Sequence, residues 1–124
     1  MKRRQFRVTV IFKLYLTDLL TNIEMDLTNS ETKVYNNILT NLTTIDQTIS
    51  NSLKNYTLNR LAYLDRAIVR YATYEMLFTD TPRAIIIDEA IEITKEYSDI
   101  DDLQKAFTNR LLDNINKSIG EKNE

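Results

Sequence analysis

The chain has 124 residues with one Gly, one Pro, no Cys and no His; 43% of it is hydrophobic, 27% is charged, and the formal net charge is −2. Average usage is about 7% Gly and about 5% Pro, so this scarcity excludes turn-dense sandwiches and Gly-rich α/β loops and leaves long helices in one domain. Disulfides, Cys/His zinc sites, haem ligation and Cys or Ser-His-Asp nucleophile systems are excluded as well.

Six helical segments are predicted in an all-α bundle. The first runs from about Arg3 to Leu20. Phe6, Val10 and Leu14 recur at i, i+4 and i+8, beside Val8, Ile11, Phe12, Tyr15 and Leu19. That is apolar nearly all round and predicts a central, buried helix. The stretch RVTVIFKLYL is also β-branched enough for a strand, but the segment is long and no partner strands stand out, which favours helix.

Thr21–Asn29 reads as a loop. Thr28 with Glu31 spells a capping box before a helix carrying Val34, Tyr35, Ile38, Leu39 and Leu42. Thr44 with Gln47 spells a second box, followed by the stripe Ile45, Ile49 and Leu53. A fourth helix is expected from Thr57, with Leu58, Leu61, Leu64, Ile68, Ala72 and Met76 on one face and Arg60, Arg66 and Arg70 largely off it. Thr81 then caps a fifth helix with Pro82 at its first position. That helix runs through Ile86, Ala90 and Ile93 to about Tyr97. Ser98 with Asp101 spells a third box, and the last helix carries Leu103, Ala106, Phe107, Leu111, Ile115 and Ile119. Gly120 is the expected stop, giving a single domain over 1–119 and a tail over 120–124. Short connections place successive helices antiparallel.

The charges are unevenly placed. Residues 1–16 hold Lys2, Arg3, Arg4, Arg7 and Lys13 and no acid, while the rest holds 11 basic and 18 acidic side chains. A basic end on an acidic body draws an anionic partner to the N-terminus. Solvated N-terminal charges are the plainer reading, and Arg7, inside the first helix, has the further option of pairing with a carboxylate of the bundle. Arg70 is expected to pair with Glu75 or Glu89. Asp99, Asp101 and Asp102 read as a cluster complementing a helix start, and Glu89 and Glu92 as a solvated face. No catalytic residue, metal site or cofactor is assigned, and the chain reads as a non-enzyme. The apolar run from Val8 is broken by Thr9 and Lys13 and followed by Asp18, too short to span a membrane. No small-residue cleavage site follows it, so a cytoplasmic protein is expected.

LNRLAYLDRAIVRYATYEMLFTDTPRAIIIDEAIEITKEYS, from Leu58 to Ser98, and FTNRLLDNI, from Phe107 to Ile115, resemble the NusB family of transcription antitermination factors. The family's "Ile-Leu-Arg, two residues, Tyr-Glu-Leu" is met by Ile68-Val69-Arg70 and Tyr74-Glu75-Met76. Its "Ile-Asn-Glu-Ala-Val/Ile-Glu-Leu-Ala-Lys" after a Pro is met by Ile87 to Lys95 after Pro82, and its "Phe-Val-Asn-Gly-x-Leu-Asp" by Phe107 to Asp113. Its arginine-rich opening leading into Leu-Tyr is met by Lys2-Arg3-Arg4-Gln5-Phe6-Arg7 and Leu14-Tyr15. The similarity covers residues 1–20 and 57–117. Phe6 replaces the family's Ala, Asp88 its Asn, Thr94 an Ala and Arg110 a Gly.

The resemblance implies two packed three-helix bundles of six to seven helices in all. It implies binding of the single-stranded boxA element of RNA together with the small-subunit ribosomal protein NusE, joining the RNA polymerase elongation complex and suppressing termination in ribosomal RNA operons. A homodimer is an alternative form. Lys2, Arg3, Arg4 and Arg7 are the expected phosphate contacts, and Tyr15, Phe107 and Asn109 the candidates for reading splayed bases. Asp65, Arg66 and Tyr74 are the candidates for the NusE surface. The competing reading is a helical protein–protein docking module that has lost RNA binding.

Overall fold

The computed structural model describes residues 2–20, 23–54, 56–98 and 102–122, the side chains of Lys2, Glu121 and Lys122 excepted. Its helices are α1 (Lys2–Leu19), α2 (Asn29–Thr40), α3 (Leu42–Asn51), α4 (Tyr63–Phe78), α5 (Arg83–Tyr97) and α6 (Asp102–Lys122), with a 3-10 turn at Leu58–Arg60 and no strand among the described residues. The strand option for residues 7–16 is thereby closed.

Local signals explain some boundaries. The first capping box forms as spelled: the Glu31 backbone N–H donates to Thr28 Oγ1 at 3.1 Å, and the Thr28 N–H donates to Glu31 Oε1 at 2.9 Å. The second does not form. Asn41 already closes α2 and opens α3, so Thr44 lies inside the helix and its carbonyl accepts from Thr48 Oγ1 at 2.9 Å. The start expected at Thr57 is a 3-10 turn instead, because Leu61 and Ala62 are extended before α4 begins. Pro82 precedes α5 rather than entering it, with ψ at 137°, and its carbonyl accepts from the Ile85 and Ile86 N–H groups. Thr81 supplies no cap. Gly120 keeps to the helix, and α6 runs on to Lys122. The third box depends on Asp101, which lies outside the described residues.

Helices α4, α5 and α6 pack mutually as one three-helix bundle. On the other side of α4 lie α1 and α3, with α2 packed against both. The central helix is therefore α4, not α1. Eleven of the sixteen α4 residues are buried, whereas α1 buries the stripe Arg7, Val10, Ile11 and Leu14 and leaves Arg3, Gln5, Thr17 and Asp18 exposed. The core is built from β-branched and leucine side chains: Ile38, Ile45, Ile49, Ile68, Ile86, Ile93, Leu112 and Ile115 are almost wholly removed from water. Each such burial contributes about 1.5–3 kcal/mol. The first turn of α6 departs from its expected face: Leu103 is 81% exposed and Ala106 is exposed too.

Candidate nucleic-acid interface

The first turns of α1 carry the basic cluster, and α4 and α5 supply its partners. Arg7 is only 5% exposed. Its Nε and Nη2 donate to Glu75 Oε1 and Oε2 at 2.8 and 3.1 Å, a bidentate pair across α1 and α4. Burial disfavours the guanidinium charge, but the bond and charge of Glu75 outweigh it and hold Arg7 more firmly protonated than usual. Arg4 makes a second fork, one helical turn up: Nε and Nη2 donate to Glu89 Oε1 and Oε2, both at 2.8 Å. Arg4's bond holds the Glu89 carboxyl below the usual glutamate range. Arg3 is exposed and makes no ion pair among the described residues. Lys13 is turned away, donating to the Ile23 carbonyl at 3.2 Å. The Lys2 side chain lies outside the described residues.

These residues border a groove of about 620 Å³, closed on its other side by the α4–α5 loop from Thr79 to Pro82 and by Ile85. Its lining carries Arg3, Arg4 and Arg7 against Asp80 and Glu89, and Glu75 offsets Arg7, so Arg3 is the lining arginine left without an ion pair among the described residues. A second pocket, about 390 Å³, opens beside it among Phe6, Val34, Tyr71 and Tyr74, and shares Arg3 and Arg7 with the groove. The basic N-terminus is thus only in part a free arm: two of its arginines are built into the bundle, as the pairing alternative for Arg7 anticipates.

The candidate base-reading residues sit elsewhere. Tyr15 is half-buried and stands edge-on to Phe12, which stands edge-on to Tyr97 at the end of α5. It lies eleven residues along α1 from Arg4, roughly 16 Å at 1.5 Å per residue. Phe107 is half-buried against Tyr56, ring centroids 5.0 Å apart. Asn109 is exposed and its side chain makes no hydrogen bond among the described residues. Arg83 at the start of α5 donates to Asn116 at 2.9 Å, so α6 runs antiparallel to α5 and Phe107 falls toward the end away from the arginines.

Asp65, Arg66 and Tyr74 are all buried, and they do not form one patch. Asp65 accepts from Ser98 Oγ at 2.8 Å, its other oxygen has no partner among the described residues, and burial pushes its carboxyl up. Arg66 pairs with Asp18 at 3.0 Å and lies over the Tyr63 ring. Tyr74 belongs to the arginine end, between Tyr71 and Phe78. Arg70 pairs with Asp46 and Asp18, not with Glu75 or Glu89. Sequence reading missed the exposed apolar side chains Leu19, Leu20, Tyr63 and Leu103, which together with Tyr97, a stacking candidate from its sequence, fall where α1 and α5 end and α4 and α6 begin. Among the described residues no helix is long and apolar enough to cross a membrane, and no group of three or more metal-ligating side chains gathers.

A family model described as the NusB family matches residues 2–117, including the 21–56 stretch that carries no motif. The chain is 39% identical over 129 residues to the transcription antitermination protein NusB of Campylobacter jejuni strain RM1221, an alignment spanning 94% of this chain and 96% of that protein. It is 51% identical over 73 residues to the protein of the same name from Staphylococcus aureus strain MRSA252, covering 59% of this chain and 55% of that one. Among solved structures, T. maritima NusB superposes with a TM-score of 0.80 at 34% identity, over 93% of this chain and 90% of that one. A chain in the crystal structure of a plectonemic RNA supercoil gives 0.77 at 20% identity, over 94% of each, a likeness of fold.

Proposed function

Because the chain belongs to the NusB family of transcription antitermination proteins, we propose that it binds boxA-type single-stranded RNA together with the ribosomal protein NusE. The complex joins the RNA polymerase elongation complex in the cytoplasm and suppresses termination in ribosomal RNA operons. Residues 1–119 act as one non-catalytic unit. The observation that carries this reading is the groove beside α1, where Arg3 is exposed without an ion pair among the described residues and Arg4 is partly exposed. Phosphates enter there and displace part of the Arg4–Glu89 contact. Arg7 positions α1 from below rather than touching RNA. Tyr15, Phe107 and Asn109 serve the far end of a strand that crosses the molecule.

NusE docks at that far end, where Leu19, Leu20, Tyr63, Tyr97 and Leu103 leave apolar surface open. Asp65 and Arg66 lie just beneath and brace it, while Tyr74 is too distant to take part. A homodimer would use the same apolar surface.

A filter-binding titration with short single-stranded RNA tests the proposal. Four phosphate contacts on the arm would give a log–log salt slope near −2.8, from about −0.7 per contact. With Arg7 buried, Arg3 and Arg4 contribute about −1.4, and replacing both by Ala should flatten the slope by that amount. Failure of the wild-type chain to bind RNA at low salt would leave the second reading, a docking module without RNA binding. That reading draws on the neutralisation of Arg4 and Arg7 by Glu89 and Glu75. Co-purification with NusE separates it from an inert chain.

A further inference from the structure

We propose that the pocket of about 390 Å³ among Phe6, Tyr71 and Tyr74 seats one extruded nucleobase of the RNA strand whose phosphate lies in the arginine groove, a subsite that rests on the RNA-binding reading. Pocket and groove share Arg3, Arg7, Thr79 and Thr81, so they form one continuous concavity with an arginine-lined half, where Arg3 is exposed and without an ion pair among the described residues, and an aromatic half. That is the division a nucleotide requires: a charged group for the phosphate and a π-surface for the base. The pocket is walled by Phe6 of α1, Val34 of α2, and Tyr71 and Tyr74 of α4. These four walls stand on helices, and only Thr79 and Thr81 come from the α4–α5 loop, so most of the space is preformed and little ordering accompanies binding.

The pocket also holds a reading group. The Tyr71 ring is buried, yet its hydroxyl makes no hydrogen bond among the described residues and is not sealed from solvent. Burial and the neighbouring Glu75 keep the phenol protonated. It therefore offers one donor and its lone pairs to a base edge. Thr79, by contrast, is already used: its hydroxyl donates to the Glu75 carbonyl at 2.8 Å and accepts from the Thr81 N–H at 3.3 Å. Phe6 supplies the stacking face. At its position the family pattern has Ala, so the stacking face is a feature of this chain.

Filter binding with short single-stranded RNAs, read beside thermal melting, tests the subsite. Phe6→Ala should weaken RNA binding about tenfold and leave the salt slope unchanged, since no phosphate contact is removed. Tyr71→Phe removes only the hydroxyl; it should melt like the wild type and flatten the preference among U-, C-, A- and G-rich strands. A nucleoside monophosphate should compete only at far higher concentration than the strand. If both variants bind like a wild type that itself binds RNA, the base pocket is wrong and RNA binding stands. If the wild type binds no RNA, both fall. Competition by mononucleotide at the concentration of the strand would overturn the RNA subsite in favour of a free-nucleotide site. Loss of NusE capture with RNA affinity intact would overturn it in favour of a protein segment.

Discussion

The two ends of the α1–α4 pair use the same chemistry for opposite results. At the C-terminal end of α1, Arg66 and Arg70 are met by Asp18 and Asp46, and the side chains exposed around them include the apolar Leu19, Leu20, Tyr63, Tyr97 and Leu103. At the N-terminal end, Arg7 and Arg4 are met by Glu75 and Glu89, but Arg3 is left over and a groove lies open above the pair. One end consumes its charge and presents carbon, which suits a protein partner. The other keeps one exposed arginine, Arg3, beside aromatic rings, which suits a polyanion carrying bases. Ion pairs alone do not tell the two ends apart; what surrounds them does.

The largest expected effect falls on the pair that both functions rest upon. Arg7→Ala strips a buried carboxylate of its partner and should cost about 3–5 kcal/mol in urea unfolding. The double replacement Arg7→Met with Glu75→Leu should recover most of it, because two apolar groups leave no orphaned charge. Arg3→Ala should stay within about 0.5 kcal/mol of wild type. Equal effects for Arg3 and Arg7 would erase the distinction between built-in and free arginines.

Phe107→Ala should destabilise by roughly 2 kcal/mol, below the range for a fully buried ring, because the side chain is only half-buried against Tyr56. A loss of RNA affinity with stability within about 0.5 kcal/mol of wild type would make Phe107 a contact residue alone.

Asp65 sharpens the far end. Its folded-state pKa is raised by burial, so the folded chain holds that proton more tightly than the unfolded chain. Stability from this group is present below the ordinary aspartate pKa of about 3.9 and declines as pH rises through the raised folded value. Asp65→Asn should abolish the decline and leave the protein about 1 kcal/mol more stable at pH 7. A less stable Asn variant at neutral pH would mean that the charged form is needed where Ser98 holds it.

The smallest effect concerns the groove. Glu89→Gln releases Arg4 and should raise RNA affinity about threefold at low salt, the size of a partly exposed pair, with the gain vanishing at high salt. Glu89 has a depressed folded pKa, so the stability from its contact is present above about pH 4.3 and is lost as pH falls through the lower folded value. Wild type and Glu89→Gln should therefore converge in RNA binding at acid pH.

How much of this was legible depends on sequence distance. The all-helical class followed from one Gly, one Pro and the apolar stripes, and the Thr28–Glu31 box formed because both partners lie within one turn. Where a signal competed with its neighbours it failed: Asn41 opened α3 before Thr44 had the chance, and Gly120, with no turn demanded of it, stayed helical. The apolar face of α1 gave it a centrality that belongs to α4, whose buried Asp65, Arg66 and Glu75 disguised it as amphipathic. The family resemblance put most of the expected RNA contacts on the first helix. It did not say which arginines are free, because Arg4 and Arg7 find carboxylates 85 and 68 residues away. The Phe6–Tyr71–Tyr74 pocket is likewise a product of helix packing and has no spacing to read.

Those same separations impose an order on biosynthesis. α1 precedes α4 and α5 along the chain, and residues 1–16 contain no carboxylate of their own. Glu75 arrives with α4 and Glu89 only with α5. Until α4 and α5 have been made, Arg4 and Arg7 lack these two partners, and an unpaired cationic segment attracts nucleic acid without regard to sequence. Once α5 has emerged, both forks can close and neutralise two of the arginine charges. The charge that α1 presents is thus set late in synthesis, by subtraction.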